Sequence, residues 1–292
     1  MNRVQELIEE VLKTRDVVIP SSQSKLFISH DIDTINGAWL QDGFALLKQK
    51  RIGTMMKVIF NEFLKAPAWF NMDQIISLNT EYGVRTTFFW LLSKGKGADG
   101  VMNADYSIQK LSTDVKGYEK HAATNGLHKA STRQTLKEEF ALSEVILPYN
   151  RYHFLKYNYM QLIAEMEEAQ LALDASFGFA EHYGFRTNFG LPFHPFNPET
   201  QSATSFLEVP LNLMDGTFHK YMKLEQKKIA EMAISFIDSH KENCVLSLLW
   251  HNTYFTDHKY RGFLEEYVKI MSFIKENNFQ TVTPDELVNS YA

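Results

Sequence analysis

Two acids, Asp31 and Asp33, close the apolar run Leu26-Phe27-Ile28, and carboxylates at the end of a run that reads as a buried strand call for a chemical reason. Side chains two apart on a strand share a face. Acids so placed can hold a metal together, or divide into one ligand and one base. The plain alternative is a solvated cap for the next segment. Five more polar residues, His128, Arg151, His153, Asp215 and His251, stand at or near the ends of other strand-like runs. That rim is where parallel α/β folds place their chemistry.

The elements that must position these side chains follow from the pattern around them. The run 84–92, rich in β-branched and aromatic residues, is a second strand, and 125–130, 151–155, 171–177, 207–214 and 245–249 supply the others. Helical spacing covers 39–82 with a break near Pro67, 107–121, 135–147 up to Pro148, the stretch after 155 through Ala169, and 225–240. A helix, a strand and a helix close the chain. Segment 93–106 and the stretch leading to Phe206 read as loops. Some seven strands alternating with helices, without internal repeat, predict an α/β fold in which a parallel sheet closes into a barrel. It forms a single domain, 25–292, after an N-terminal helix and lead-in, 1–24.

Composition narrows the function. At 292 residues the chain suits one α/β barrel better than two ordinary domains. A hydrophobic share of 45% with 22% charged residues speaks against disorder and fibrous folds. Net charge is −5 without a basic run, which argues against nucleic acid as a partner. The 13% aromatic share suits either rings that stack on sugars or a core rich in Phe. Cys244, the single cysteine, excludes an intramolecular disulfide and reads as a buried structural thiol. Segment 1–15 alternates apolar and charged residues like an amphipathic helix and lacks the apolar core of a secretion signal. No apolar run nears the roughly 18 residues of a membrane span, so a cytoplasmic location is expected.

With these residues placed, the chain resembles the polysaccharide deacetylase family over nearly its whole length. Members are metal-dependent carbohydrate esterases that remove N- or O-linked acetyl groups on an irregular (β/α)7-type barrel. The likeness rests on Ser29-His30-Asp31-Ile32-Asp33, Thr86-Thr87-Phe88-Phe89, Gly126-Leu127-His128, Arg151 and Leu249-Trp250-His251. Segments 177–180, 184–186 and 214–217 are similar to a bacterial sub-branch associated with surface-polysaccharide gene sets. The resemblance implies that Asp31 is the catalytic base, Asp33 and His128 are metal ligands, Arg151 positions the base and His251 is the acid. Thr132 stands four residues after His128, where the family has a second metal-binding histidine. His153 is the expected replacement, with His121 as second choice.

The expected substrate contacts are Arg186, which could clamp an anionic sugar group or form a structural ion pair, Trp250, a sugar platform or acetyl-pocket wall, and Asp215. Asp215 could instead orient a histidine or cap a turn. The implied cofactor is a divalent metal, zinc first, with cobalt, nickel or manganese as options. The implied partner is an acetylated sugar or oligosaccharide. Two rivals are a glycan-binding barrel without a metal and an amide hydrolase of the same fold. A serine nucleophile is disfavoured because no Gly-x-Ser-x-Gly occurs.

Overall fold

Short runs rich in β-branched and aromatic side chains pair into a sheet because such residues fit a pleated, half-buried surface. The structure, a computed structural model, describes residues 2–15, 21–121 and 123–291. Its strands are β1 Lys25–Ile32, β2 Thr86–Leu91, β3 Ala123–Lys129, β4 Tyr149–Tyr152, β5 Leu173–Asp174, β6 Phe196–Asn197, β7 Ser202–Ala203, β8 Leu207–Glu208, β9 Leu213–Met214 and β10 Val245–Leu249. β6 and β7 form an antiparallel pair, and the other eight make one parallel sheet in the order β8-β5-β4-β3-β2-β1-β10-β9. Helices flank it, among them Ala38–Lys48, Ile52–Leu64, Met72–Glu81, Ile108–Glu119, Tyr159–Ala169, Ile229–Ser239 and Phe263–Glu276.

Register decides which side chains meet. Asp31 stands beside Phe89, Leu91 beside His128, and His128 beside Arg151. Alternation along each strand then puts Phe27, Phe89, Tyr149, Leu173, Leu207 and Val245 into one cluster on the inner face. Leu26, Ile28, Phe88 and Trp90 face the helices on the other side. At the carboxyl end the inner stripe runs on into polar residues, with Asp31, His128 and Arg151 in the strands and His251 just beyond β10.

Several expected elements come out differently. The run 207–214 is not one strand: Pro210 has no N–H to donate, and the chain breaks into β8 and β9. These two stand at the two ends of the strand order, β8 on β5 and β9 on β10, with Leu211 between them bridging to Gly178, so the eight-stranded sheet curls round into the expected irregular barrel. The expected helix 135–147 shrinks to Leu136–Phe140, started by a capping box between Thr135 and Glu138. Only Leu173–Asp174 of 171–177 is strand. The strand expected over 151–155 ends at Tyr152, and His153–Leu155 is a 3₁₀ turn. Within the expected lead-in 1–24, Arg3–Lys13 is helical, while residues 1 and 16–20 lie outside the described residues. Cys244 is buried just before β10, and burial pushes its thiol up to about 11.

Candidate active site

Asp33 follows the last residue of β1, and His128 is the penultimate residue of β3. His153 reaches the same place by a different route. Phe154 and Leu155 have φ of 59° and 53°, a left-handed conformation uncommon for residues with side chains. That bend leaves the His153 ring stacked on Phe154 at 3.8 Å and 5.0 Å from the ring of His128. Asp33 Oδ1 lies 3.4 Å from His128 Nε2 and 3.7 Å from His153 Nε2, and one ligand atom from each of the three lies within 4.8 Å of the others.

This trio suits a divalent cation. Asp33 Oδ1 is buried and accepts no hydrogen bond from the described residues, which is costly for a carboxylate oxygen unless something positive meets it. His128 Nδ1 is 2.8 Å from the carbonyl of Arg151, so it must donate there, and Nε2 is left to face Asp33. One carboxylate and two imidazoles are a ligand set that leaves an open coordination position. Burial alone would raise the Asp33 carboxyl, but His153, His128 and His251 outweigh it and hold it well below the usual range.

Beside the trio sits Asp31, nearly sealed from solvent. Arg151 Nη1 donates to its Oδ1 at 2.8 Å and to Ser29 Oγ at 2.9 Å, while Arg151 Nε donates to the Ala175 carbonyl at 3.0 Å. The guanidinium lies over the Phe89 ring, 4.4 Å from its centroid. Burial would raise the Asp31 carboxyl, yet Arg151, His128 and His251 more than reverse that and keep it ionised. Gly126 lets these parts approach. A Cβ there would lie 2.8 Å from the Phe89 ring and 3.0 Å from the Tyr149 carbonyl.

On the other side stands His251, partly exposed, with Nε2 3.8 Å from Asp33 Oδ2. Asp215 is fully buried and grips it twice, accepting from the His251 backbone N–H at 2.6 Å and from Nδ1 at 2.7 Å. Burial lowers the affinity of this imidazole for a proton, but Asp215, then Asp33 and Asp31, lift its pKa to about 9. Nε2 therefore bears a proton at neutral pH and points toward the trio.

The sequence expectations divide here. Asp31, Asp33, His128, Arg151, His153 and His251 come together. Asp215, expected as a substrate contact, is enclosed behind His251 and orients it instead. Trp250, expected as a sugar platform, is fully buried against Phe263 and Tyr267. Neighbouring strand residues point to opposite faces, so Trp250 faces the helices when His251 faces the rim. His121 is exposed before the start of β3, at the far end from His128. Thr132 lies past the end of β3 and receives the Lys129 ammonium at 3.4 Å. Arg186 donates to the Gly178 carbonyl and lies near the rings of Tyr157 and Phe179; among the described residues no acid pairs with it.

Three supports were missed. Ser29 and Phe89 hold Arg151. Asp105 fixes the loop after Asp33 by accepting from the Thr34 hydroxyl and from the Ile35 and Asn36 N–H groups, both at 3.0 Å. An acid 70 residues away leaves no local signal.

No family model and no curated protein matches the sequence. Solved structures do. A Mycobacterium smegmatis protein, named provisionally as a polysaccharide deacetylase, is 12% identical, with 91% of this chain and 96% of that one covered at a TM-score of 0.50. The catalytic domain of a peptidoglycan N-acetylglucosamine deacetylase from Eubacterium rectale is 10% identical over 91% of each chain, at 0.43. The 4-alpha-glucanotransferase of Thermococcus litoralis is 10% identical, with 93% of this chain and 41% of that one covered, at 0.52. The chain thus shares the fold of the first and third of these, proteins named for two different reactions, and the fold by itself does not choose between them.

Proposed function

We propose that the chain is a metal-dependent hydrolase that removes N- or O-linked acetyl groups from a carbohydrate. One observation carries the reading: an acid held by Arg151 and a histidine held by buried Asp215 flank a carboxylate-imidazole-imidazole trio on one rim. Asp33, His128 and His153 would hold the cation, and zinc suits this set best. When bound, it supplies Lewis acidity toward the acetyl carbonyl and a water of lowered pKa, roughly 7 in favourable sites.

The chain's own residues do the rest. Asp31 takes the proton of the attacking water; Arg151 fixes its orientation and keeps it charged beforehand. His251 delivers the Nε2 proton to the departing amine or alkoxide, while Asp215 holds the ring with Nδ1 turned away. A groove of about 520 Å³ opens from His153 past Phe154, Tyr157, Arg133 and Lys156, and gives the sugar aromatic faces and hydrogen-bonding groups beside the centre.

Acetate release from acetylated chito-oligosaccharides and acetylated xylan, measured with zinc or cobalt added, tests this. The parent should release acetate from at least one of them. Turnover by Asp31→Asn at the parent's rate would remove the base. Tight sugar binding without acetate release or bound metal would make the barrel a glycan receptor.

A further inference from the structure

Beyond the rim, the pair of helices Ala38–Lys48 and Ile52–Leu64 that follows β1 is a feature the candidate centre does not explain. Globular helices turn their apolar stripe toward the core. Here Ile52–Leu64 buries only Val58, while Ile52, Met56, Phe60, Phe63 and Leu64 are exposed. Ala38–Lys48 buries Ala38, Asp42, Gly43 and Leu46 and exposes Trp39, Leu40, Phe44 and Leu47. Spacings of 40, 44, 47 and of 52, 56, 60, 63 mark one face of each helix. Trp39 touches Phe63, with ring centroids 5.7 Å apart, and joins the two faces into one strip. Leu40, Phe63 and Leu64 are 60%, 66% and 69% exposed, so this is a contiguous patch and not scattered surface apolarity.

The charge around the strip is equally uneven. Lys48, Lys50, Arg51, Lys57 and Lys65 accompany it in a chain whose net charge is −5. Asp42 and Glu62 are the only acids between residues 38 and 65, and both are engaged: Asp42 accepts from the Trp69 indole and the Thr256 hydroxyl, Glu62 from the Gly37 N–H. The Lys48 ammonium lies 4.5 Å from the Phe44 ring centroid and that of Lys65 5.9 Å from Phe60, which keeps charged tips beside exposed apolar rings.

We infer that this helix pair docks on an anionic lipid surface, with the strip in the acyl boundary and the cations among phosphate headgroups. A second copy would also cover the strip, but it would bring like charges face to face. The loop from β1 to the pair begins directly after Asp33, so one short segment links the docked helices to the candidate centre. Docking stands whether or not the proposed hydrolysis does.

Flotation of the full chain with vesicles decides it. Vesicles of phosphatidylcholine with about 30% phosphatidylglycerol should capture the chain at low salt and release it at high salt, while phosphatidylcholine alone should capture little. Phe60→Ser with Phe63→Ser and Leu64→Ser, and separately Lys57→Glu with Lys65→Glu, should each weaken capture roughly tenfold or more. Circular dichroism and turnover of a soluble substrate should stay at the parent's level in both. Failure of the parent to float with anionic vesicles would overturn the inference. So would a dimer in sedimentation that the serine variant converts to monomer without any vesicle binding. Flotation in a chain with no acetate release would sink the hydrolase reading and leave the docking intact.

Discussion

Two pairs of acids lie near the carboxyl ends of the strands, Asp31 with Asp33 and Asp174 with Glu208, all of them buried except the partly exposed Asp33, and they differ in what surrounds them. The first pair faces a guanidinium and three imidazoles, and both carboxyls sit below their ordinary range although burial pushes them up. The second faces hydroxyls, amides and its own partner. Asn150 Nδ2 and the Ser176 hydroxyl donate to Asp174 Oδ1 at 2.7 and 2.9 Å, and the Phe177 N–H donates to Glu208 Oε1 at 2.9 Å. Burial, then the neighbouring Asp174, pushes Glu208 well above the usual range; Asp174 is raised by burial as well. Glu208 Oε2 has no other partner among the described residues, which fits a proton shared within the pair. Different surroundings thus yield opposite charge states. One pair is ready for a cation and a proton, and the other staples β4, β5 and β8 behind Arg151.

The contrast can be broken at its strongest point first. Asp33→Ala or His153→Ala should lower bound metal, read by elemental analysis, and bring acetate release to background; metal retained at the parent's level in both would dissolve the trio. Arg151→Met should come next, because it leaves Asp31 buried without a cation: about 3–5 kcal/mol of stability lost in a denaturant titration. Asp31→Asn and His251→Ala should each slow release by roughly a hundredfold or more with the fold unchanged by circular dichroism.

Asp215→Asn should move the alkaline limb of the rate profile to lower pH. The acid works only while protonated, and its pKa near 9 depends mainly on Asp215 once burial is overcome. A limb that stays put would mean that some other group titrates there. The smallest effect belongs to the second pair. Native Glu208 holds its proton more tightly than the unfolded chain does, so stability is full below the unfolded carboxylate pKa and falls as pH rises toward the folded one. Glu208→Gln should flatten that fall, measured as the denaturation midpoint between acid and neutral pH.

Much of the centre is legible because strands alternate. Asp31, His128, Arg151 and His251 follow from where apolar runs end and which face each residue takes. Alternation also places Trp250 away from the rim, in the core rather than against a sugar. His153 is harder: it depends on left-handed backbone at Phe154 and Leu155, which no glycine or asparagine announces. The eighth strand was hidden in a run that reads continuously until the missing N–H of Pro210 is weighed. Asp105 and the Asp174–Glu208 pair act through partners far along the chain, and only the folded register brings them close.

Gly126 shows how such a centre can be lost without touching it. A single methyl group there would collide with Phe89, and the ring would have to shift from beneath Arg151, loosening the grip on Asp31. A lineage could drift to inactivity through a position with no side chain while every reactive group stayed in its sequence. A search for chemistry that inspects reactive residues alone would score such a descendant as intact.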